Sequence, residues 1–350
     1  MDPVLLLDVL LLILAVLAAV AAMLQRDLLG SVMLMGIYSL LMAVIWANLF
    51  AMDVSFTEAS VGAGAATVLL LMALTRIGTR ERSGGDHSLP ALVLVVLTGV
   101  VLLYGTSELP RFGDPQAPAQ LHIAPHYLAQ DIGKVSDSAT PPNSPHGEGD
   151  FGHHVPNTVT AVLASYRGYD TMFETAVIFS AGMCLLLLLR PIPRRSPETV
   201  TIDESGSTSH QKSESVVLRT IGGMLIPYIL VFGFYVQMHG EIGPGGGFQA
   251  GVLVAAAFIL HSLLFGRTAT DRWLPRWLVD LAMSLGVLLY AGTGGACMAM
   301  GGHFLDYSAL DRVHPAEAEA LGMTLVEAGV GLTVASVVLT IVRKVQGGTR

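Results

Sequence analysis

The segment YILVFGFYVQMHGEIGPGGGFQAGVLVAAAFIL, residues 228–260, contains two long apolar runs separated by a polar, glycine-rich turn. Because glycine and proline both destabilise helices, residues 240–248 cannot remain helical. The flanking runs cover 216–237 and 248–266, and each is long enough to cross a bilayer as a helix. The pattern predicts two membrane-spanning helices joined by a tight turn.

The same apolar character extends over the whole chain. Of its 350 residues, 52% are hydrophobic and 13% are charged, and the mean hydropathy is +0.61. Soluble domains carry about 25% charged residues. Length alone is compatible with two domains, but the charges gather between apolar blocks, which indicates a polytopic membrane protein.

Nine apolar runs have the length of a membrane-spanning helix. They are continuous rather than alternating, so they favour an all-α polytopic protein over a transmembrane barrel. The predicted spans cover residues 4–24, 29–50, 55–75, 89–105, 173–189, 216–237, 248–266, 278–299 and 320–342.

Composition excludes several classes of function. A net charge of −8 argues against a nucleic-acid partner. Cys184 and Cys297 lie in apolar blocks and are expected to be buried thiols rather than a disulfide. The first apolar run starts at Val4 with no basic residue before it, so no cleavable signal peptide is expected. Without a nucleophile elbow, phosphate loop or cofactor fingerprint, we expect neither an enzyme nor a cofactor.

Basic residues indicate the orientation in the membrane. Arginines follow the first, third, fifth and seventh spans, and basic residues end the chain, whereas the opposite connections are acidic. This distribution predicts a multi-pass plasma-membrane protein with an external N-terminus and a cytoplasmic C-terminus.

Two polar segments divide the chain. Residues 106–156 are predicted to form an external loop and residues 191–215 a disordered cytoplasmic linker. A short amphipathic helix at 157–170 is expected to lie along the outer interface. The histidine cluster HGEGDFGHH, at 146–154, lacks a convincing ligand spacing, so no metal site is expected.

Ionisable side chains inside the spans are costly in lipid, and each requires an explanation. Glu58 lies near the start of the third span, and the small residues after it allow a neighbouring helix to approach closely. It is either an ion- or proton-binding group or a carboxyl that reaches the interface or packs by hydrogen bonding. The same alternatives hold for Glu327 in the last span, whereas interfacial capping is favoured for Glu174 and Asp8. His261, in the seventh span, is either a packed, hydrogen-bonded side chain or a proton-exchanging group.

The turn at 239–251 holds six glycines and one proline, more than a plain hairpin turn needs. The excess predicts close backbone contact with a neighbouring helix or subunit. Backbone N–H groups at the start of the seventh span could meet an anion or a carboxylate.

These motifs resemble a known family. HGEIGPGGGFQAGVLVAAAFILHSLLFG resembles the signature of the B subunit of Mrp-type multisubunit Na+/H+ antiporters, the MnhB domain, and the resemblance extends over 216–343. DVSFTEASVGAGAATVLLLMAL, at 53–74, resembles the domain at the C-terminal end of the Mrp A subunit and the D subunit of membrane-bound hydrogenases. NTVTAVLASYRGYDTMFETAVIFSAG, at 157–182, resembles the E-subunit-like segment that follows. The sequence departs from the family in GFQAG, where a further glycine is frequent, and in its long external loop.

The resemblance implies a division of the chain and roles for some residues. Glu58 and Glu174 match motif carboxylates that serve cation or proton passage. The B-type signature loop comprises His239, Glu241, Pro244, Gly245, Gly246, Gly247, Phe248 and Gln249. The implied segments are a D-like four-span module at 1–105, the external loop at 106–156, an E-like module at 157–190, the linker at 191–215 and a four-span B-type module at 216–343.

The main hypothesis is an accessory subunit that forms part of the ion path of a Mrp-type antiporter, in which Na+ leaves as H+ enters. Its expected partners are the other subunits of such a complex and the lipid bilayer. Complex-I-like pump subunits use lysine–glutamate chains, and Lys134, Lys212 and Lys344 all lie outside the apolar runs, so the chain is not expected to be the pump itself. Two alternatives stay open: a subunit of a membrane-bound hydrogenase or related respiratory complex, and a structural scaffold.

Overall fold

The computed structural model describes residues 3–80, 88–111, 113–125, 155–188 and 216–347. Within these ranges the regular secondary structure is helical, and nine helices are long and apolar enough to cross a membrane. The predicted all-α fold with about nine spans is confirmed. The linker, most of the external loop and the histidine cluster lie outside the described residues.

We number the nine spans in chain order. Span 3 consists of three consecutive segments, an α-helix at Met52–Thr57, a π-helix at Glu58–Ala66 and an α-helix at Thr67–Ile77. The other spans, numbered 1, 2 and 4 to 9, are Pro3–Leu24, Leu28–Asn48, Ser88–Thr106, Gly168–Leu188, Val216–His239, Gly247–Phe265, Arg276–Ala299 and Pro315–Gly347. Shorter helices lie at Ala119–Ile123, Thr158–Thr160, Ala161–Tyr166, Arg267–Trp273 and Tyr307–Ala309.

The π-helix in span 3 is a departure from the continuous helix that the sequence predicts. π-Helices are rare, and they occur mostly as single turns within α-helices, often at functional sites. This one coincides with the run of small residues after Glu58, where the hydroxyl of Thr67 donates a hydrogen bond to the carbonyl of Gly62 at 3.3 Å. The small side chains leave room for the wider turn.

Span 9 is the central helix of the C-terminal half and packs against spans 5, 7 and 8. Glycines bring the backbones together at these crossings. A Cβ atom on Gly251 would lie 2.6 Å from the carbonyl oxygen of Gly331, and one on Gly286 would lie 2.5 Å from that of Gly329. Transmembrane helices associate through such small residues because apolar side chains gain little by leaving lipid for one another.

The segment before span 5 differs from the predicted amphipathic helix at 157–170. It is a short α- and π-helical segment that ends at Tyr166, and span 5 begins at Gly168 rather than near 173. Two buried tyrosines of the C-terminal half hold this segment and the start of span 5: Tyr307 donates to the carbonyl of Ala164 and Tyr290 to that of Gly168, both at 2.8 Å. Ala164 is 3% exposed, whereas Val159 is 43% and Leu163 is 46% exposed, so one face of the segment packs on the protein and the other stays accessible.

Spans 1, 2 and 4 are the most peripheral. Spans 1 and 2 form a hairpin that packs on span 3 through span 2. The described side chains of span 4 are exposed over nearly its whole length. In a membrane that surface faces lipid or another protein.

The end of the bundle farthest from the glycine-rich turn is basic. Asp271 forms ion pairs there with Arg343 at 3.3 Å, Arg267 at 3.6 Å and Arg276 at 3.9 Å. Arg343 also donates to the carbonyl of Leu274. One carboxylate facing three guanidinium groups fixes the start of span 8 to the end of span 9 and leaves a net positive charge.

Candidate functional site

A cavity of about 330 Å³ lies near the glycine-rich turn, and spans 3, 5, 7, 8 and 9 contribute to its wall. Three carboxylates line it, Asp53, Glu174 and Glu327, each from a different span. Glycines, apolar side chains and a few hydroxyl and amide groups form the rest of the wall. A membrane protein rarely places three acidic groups around one internal space without using their charge.

Asp53 connects span 3 to the glycine-rich turn. Its Oδ1 accepts a hydrogen bond from the backbone N–H of Gly245 at 3.2 Å and another from the side-chain amide of Asn157 at 3.4 Å. The neighbour that the glycine-rich turn contacts is therefore a carboxylate of the same chain. The backbone donor at Gly245 lies two residues before span 7 begins, near a helix N-terminus, where a negative charge is favoured.

Asn157 is the second residue that holds the turn. Its amide donates to the carbonyl oxygens of Gly240 and Gly243, both at 3.0 Å, and Thr160 donates to Gly240 at 2.7 Å. The backbone N–H of Asn157 also donates to the carbonyl of Glu241 at 3.0 Å. These bonds give buried backbone groups of the irregular turn the partners that they need away from water.

Gln249 extends the connection deeper into the membrane. It is 7% exposed, and its amide donates to the hydroxyl of Thr57 at 2.8 Å. At the turn itself, Gly246 has a φ of +122°, a conformation that side chains strongly disfavour. The turn thus contacts span 3, the segment at 157–160 and span 9. These contacts require the backbone of the turn to come close to its neighbours, which its glycines allow.

Glu327 lies directly against the turn. A Cβ atom on Gly240 would come within 2.8 Å of Glu327 Oε2, and one on Gly246 within 3.3 Å of Oε1. Nearby charges are those of Glu241 and Asp53, which repel a carboxylate. Within the described part of the chain, no hydrogen bond or ion pair reaches the Glu327 carboxylate.

Glu174 occupies the opposite wall and is more accessible. Its side chain is exposed, in contrast to the partly buried side chains of Asp53 and Glu327. It interacts electrostatically with the hydroxyl of Tyr290, as does Glu327. Tyr307 lies in the connection between spans 8 and 9. Burial raises the pKa of its hydroxyl above the usual range, so the hydroxyl stays protonated and donates to the carbonyl oxygen of Ala164.

Glu58 is not part of the cavity wall. Its carboxylate lies over Gly62 and close to the hydroxyl of Ser39 in span 2, since a Cβ atom on Gly62 would overlap both oxygens. The side chain is partly buried at the start of the π-helix. The predicted site residues Glu58 and Glu174 are therefore separated, whereas Glu174 and Glu327 share one space.

Asp8 and His261 also lie apart from the cavity. Asp8 accepts a hydrogen bond from the amide of Asn48, which joins spans 1 and 2. His261 Nδ1 lies 2.8 Å from the hydroxyl of Thr270, and its ring packs 4.9 Å from that of Phe265. Both side chains thus have local polar partners in the structure.

The remaining signature residues surround the turn. Glu241 accepts a hydrogen bond from the hydroxyl of Thr324 in span 9. His239 stacks on Tyr235 with ring centroids 4.9 Å apart. Pro244 is exposed, and Phe248 is partly buried in the cavity wall.

Sequence reasoning missed two residues that build the site, Asp53 and Asn157. Asp53 precedes the apolar run of span 3 and so carried no signal of a charge within lipid. Asn157 precedes a helix and resembles an ordinary N-cap, and its side chain does accept from the N–H of Val159. Only the tertiary contacts show that the same side chain also holds the turn.

Two protein families match the chain. One, described as a domain related to the MnhB subunit of Na+/H+ antiporter, matches residues 217–340. The other, described as the D subunit of MBH, matches residues 13–79. The hydrogen bond from Gln249 to Thr57 therefore joins the two matched regions.

Individual proteins of the same kind are also similar to the chain. The putative antiporter subunit mnhB2 of Staphylococcus epidermidis is 33% identical over 139 residues, which is 39% of this chain and 98% of that protein. The protein of the same name from Staphylococcus haemolyticus is 36% identical over 139 residues, with the same coverage. Among solved structures, the fold is similar to a chain of the Mrp complex from Dietzia sp. DQ12-45-1b, with a TM-score of 0.70 and 25% identity. That match covers 97% of this chain and 35% of the longer Dietzia chain.

Proposed function

Because the chain belongs to the MnhB family of Na+/H+ antiporter subunits, we propose that it is a membrane subunit of a Mrp-type Na+/H+ antiporter and that its cavity forms part of the ion path. The similarity to the Mrp complex from Dietzia over 97% of this chain supports other Mrp subunits as its partners. The chain spans 35% of the Dietzia chain, and its place in a complete transport complex is part of the proposal.

The setting of Glu327 carries the proposal. Its carboxylate borders the cavity, two acidic groups lie near it, and the described residues provide it with no hydrogen bond or ion pair. An ionised carboxylate in such surroundings needs a positive partner. A proton or a Na+ ion supplies that charge, so the group holds either ion in turn, which is what an exchanger requires.

Asp53 and Glu174 have different roles in this proposal. Asp53 is held by Gly245 and Asn157 and acts as a fixed negative charge that attracts cations toward Glu327. Glu174 is exposed on the opposite wall and takes ions between the cavity and a neighbouring subunit. Glu58 would serve a separate stretch of the path near spans 2 and 3.

The proposed orientation places the cavity on the external side. The basic cluster around Asp271 then lies in the cytoplasm, as does the C-terminus. The external placement lets cations leave the cavity toward the medium. Reporter fusions at the two termini test this assignment independently of transport.

The decisive experiment is Glu327→Gln in the complete complex, because this change removes the charge and keeps the shape of the side chain. Antiport is measured in everted vesicles as the dissipation of a pH gradient on addition of Na+, Li+ or K+. We expect the variant complex to assemble and to lose Na+-dependent dissipation. The matched control is Glu108→Gln, at an exposed carboxylate in the connection after span 4, which should transport normally.

Two outcomes would contradict the proposal. If Glu327→Gln transports like the unchanged complex, the cavity is not in the ion path and the chain is a scaffold. If the purified complex contains hydrogenase-like Fe–S proteins and transport depends on their redox substrate, the respiratory alternative is correct.

A further inference from the structure

A second concave surface lies at the basic end of the bundle, away from the cavity. It is a groove of about 540 Å³ between the start of span 6 and the end of span 7. Span 6 separates it from the glycine-rich turn by about 30 Å, at 1.5 Å per helical residue. The groove is lined by Val216, Arg219, Thr220, Gly223, Met224 and Phe265.

Arg219 is the single charged group of this lining, and Phe265 holds it in place. The guanidinium carbon lies 5.2 Å from the centroid of the Phe265 ring, within the range of a cation–π interaction. Gly223 allows the ring to take this position, since a Cβ atom there would already lie 3.2 Å from its tip. The guanidinium therefore lies next to the Phe265 ring at one end of the groove, where the Arg219 side chain is exposed.

The rest of the groove is apolar and faces outward from the protein. Val216 is 76% exposed and Met224 is 61% exposed, one on each side of the arginine along the helix. Exposed apolar residues of a membrane-spanning helix face hydrocarbon. An arginine beside such a surface, in the first turn of the span, lies at the depth where the polar and apolar parts of a lipid meet.

The charge around the groove is positive. Arg267, Arg272 and Arg276 follow span 7 on the same end of the bundle, and Asp271 is shared among three arginines. A basic surface at the headgroup level attracts anionic lipids in preference to zwitterionic ones.

We propose that this groove binds one anionic phospholipid, with its phosphate on Arg219 and an acyl chain along Gly223 and Met224. The proposal needs neither the cavity nor its carboxylates. The occupant would stabilise the start of span 6, the point at which the C-terminal half enters the membrane.

The test uses the purified full-length chain and the assembled complex, each with phosphatidylglycerol or phosphatidylcholine in mixed micelles. Native mass spectrometry counts the lipid molecules that each protein retains. We expect phosphatidylglycerol to be retained over phosphatidylcholine, and Arg219→Gln to reduce its apparent affinity about fivefold. Arg312→Gln removes an exposed arginine at the opposite end of the bundle, in the connection between spans 8 and 9, and should leave retention unchanged.

A steric variant keeps the test informative if the charge change alters folding. Thr220→Trp fills the groove and retains Arg219, and it should also reduce retention of phosphatidylglycerol. Equal retention by Arg219→Gln and the unchanged protein would overturn the proposal, as would equal binding of phosphatidylcholine or displacement of the lipid by inorganic phosphate. Loss of the lipid on assembly of the complex would assign the groove to a neighbouring subunit and would also overturn it.

Discussion

Gly247 lies so close to the backbone carbonyl oxygen of Glu327 that even a single side-chain carbon at position 247 would overlap that oxygen. The contact joins the start of span 7 to span 9 at the residue that borders the cavity. The glycine run therefore has two effects. It allows the tight turn, and it lets the backbone of span 9 at Glu327 come close to that turn.

The first prediction concerns this contact. Gly247→Ala should force spans 7 and 9 apart and lower the stability of the chain by about 1–3 kcal/mol, as overpacking in a close-packed interior does. The measurement is the thermal unfolding midpoint of the purified chain, together with its recovery in the complex. Gly292→Ala is the matched control, since a Cβ atom there meets nothing within 4 Å and alanine favours a helix. Equal midpoints for the two variants would refute the packing argument.

The nine spans could be predicted because their signal is local. A run of about 20 apolar residues must be helical in lipid whatever surrounds it. The π-helix at Glu58–Ala66 could not be predicted, since its hydrogen bonds differ by one residue from those of an α-helix and the same small residues suit both. The tertiary contact of the segment at 157–166 could not be predicted either, because the tyrosine that holds Ala164 lies 143 residues away in the sequence.

In the candidate site, too, some residues could be predicted from the local sequence and others could not. Glu174 and Glu327 could be singled out because a charge within an apolar run is itself unusual. Asp53 and Asn157 could not be singled out, because both matter through contacts with the glycine-rich turn. In the sequence, Asp53 lies 192 residues from its partner in the turn, and Asn157 lies 83 residues from its partner. The excess of glycine at 239–251 did indicate a close backbone contact, but the sequence held no information on which residue makes it.

The second prediction concerns the connection between the two halves of the chain. The halves meet through buried hydrogen bonds, such as those of Asn157 with Gly240 and of Gln249 with Thr57, and through the packing of span 5 on span 9. Two co-expressed fragments, residues 1–200 and 201–350, should therefore assemble without a covalent link. Co-purification through a tag on one fragment measures this.

The control for the split chain tests whether the glycine-rich turn is responsible. Asn157→Leu removes three donated hydrogen bonds from the turn region at similar side-chain size. It should weaken co-purification of the fragments but leave the unsplit chain in the complex. Fragments that fail to associate even without this change would show that the covalent linker, rather than the turn, holds the halves together.

The third prediction concerns Glu58. A Cβ atom on Gly62 would overlap the Glu58 carboxylate, whereas one on Gly64 comes no closer than 3.4 Å to any neighbour. If Glu58 conducts ions, Gly62→Ala should reduce Na+-dependent transport to the level of Glu58→Gln, and the double variant should lose no more, because both changes disable one group. Gly64→Ala should transport normally. Strictly additive losses, or full transport by Glu58→Gln with loss in Gly62→Ala, would show that Gly62 matters only for the packing of spans 2 and 3.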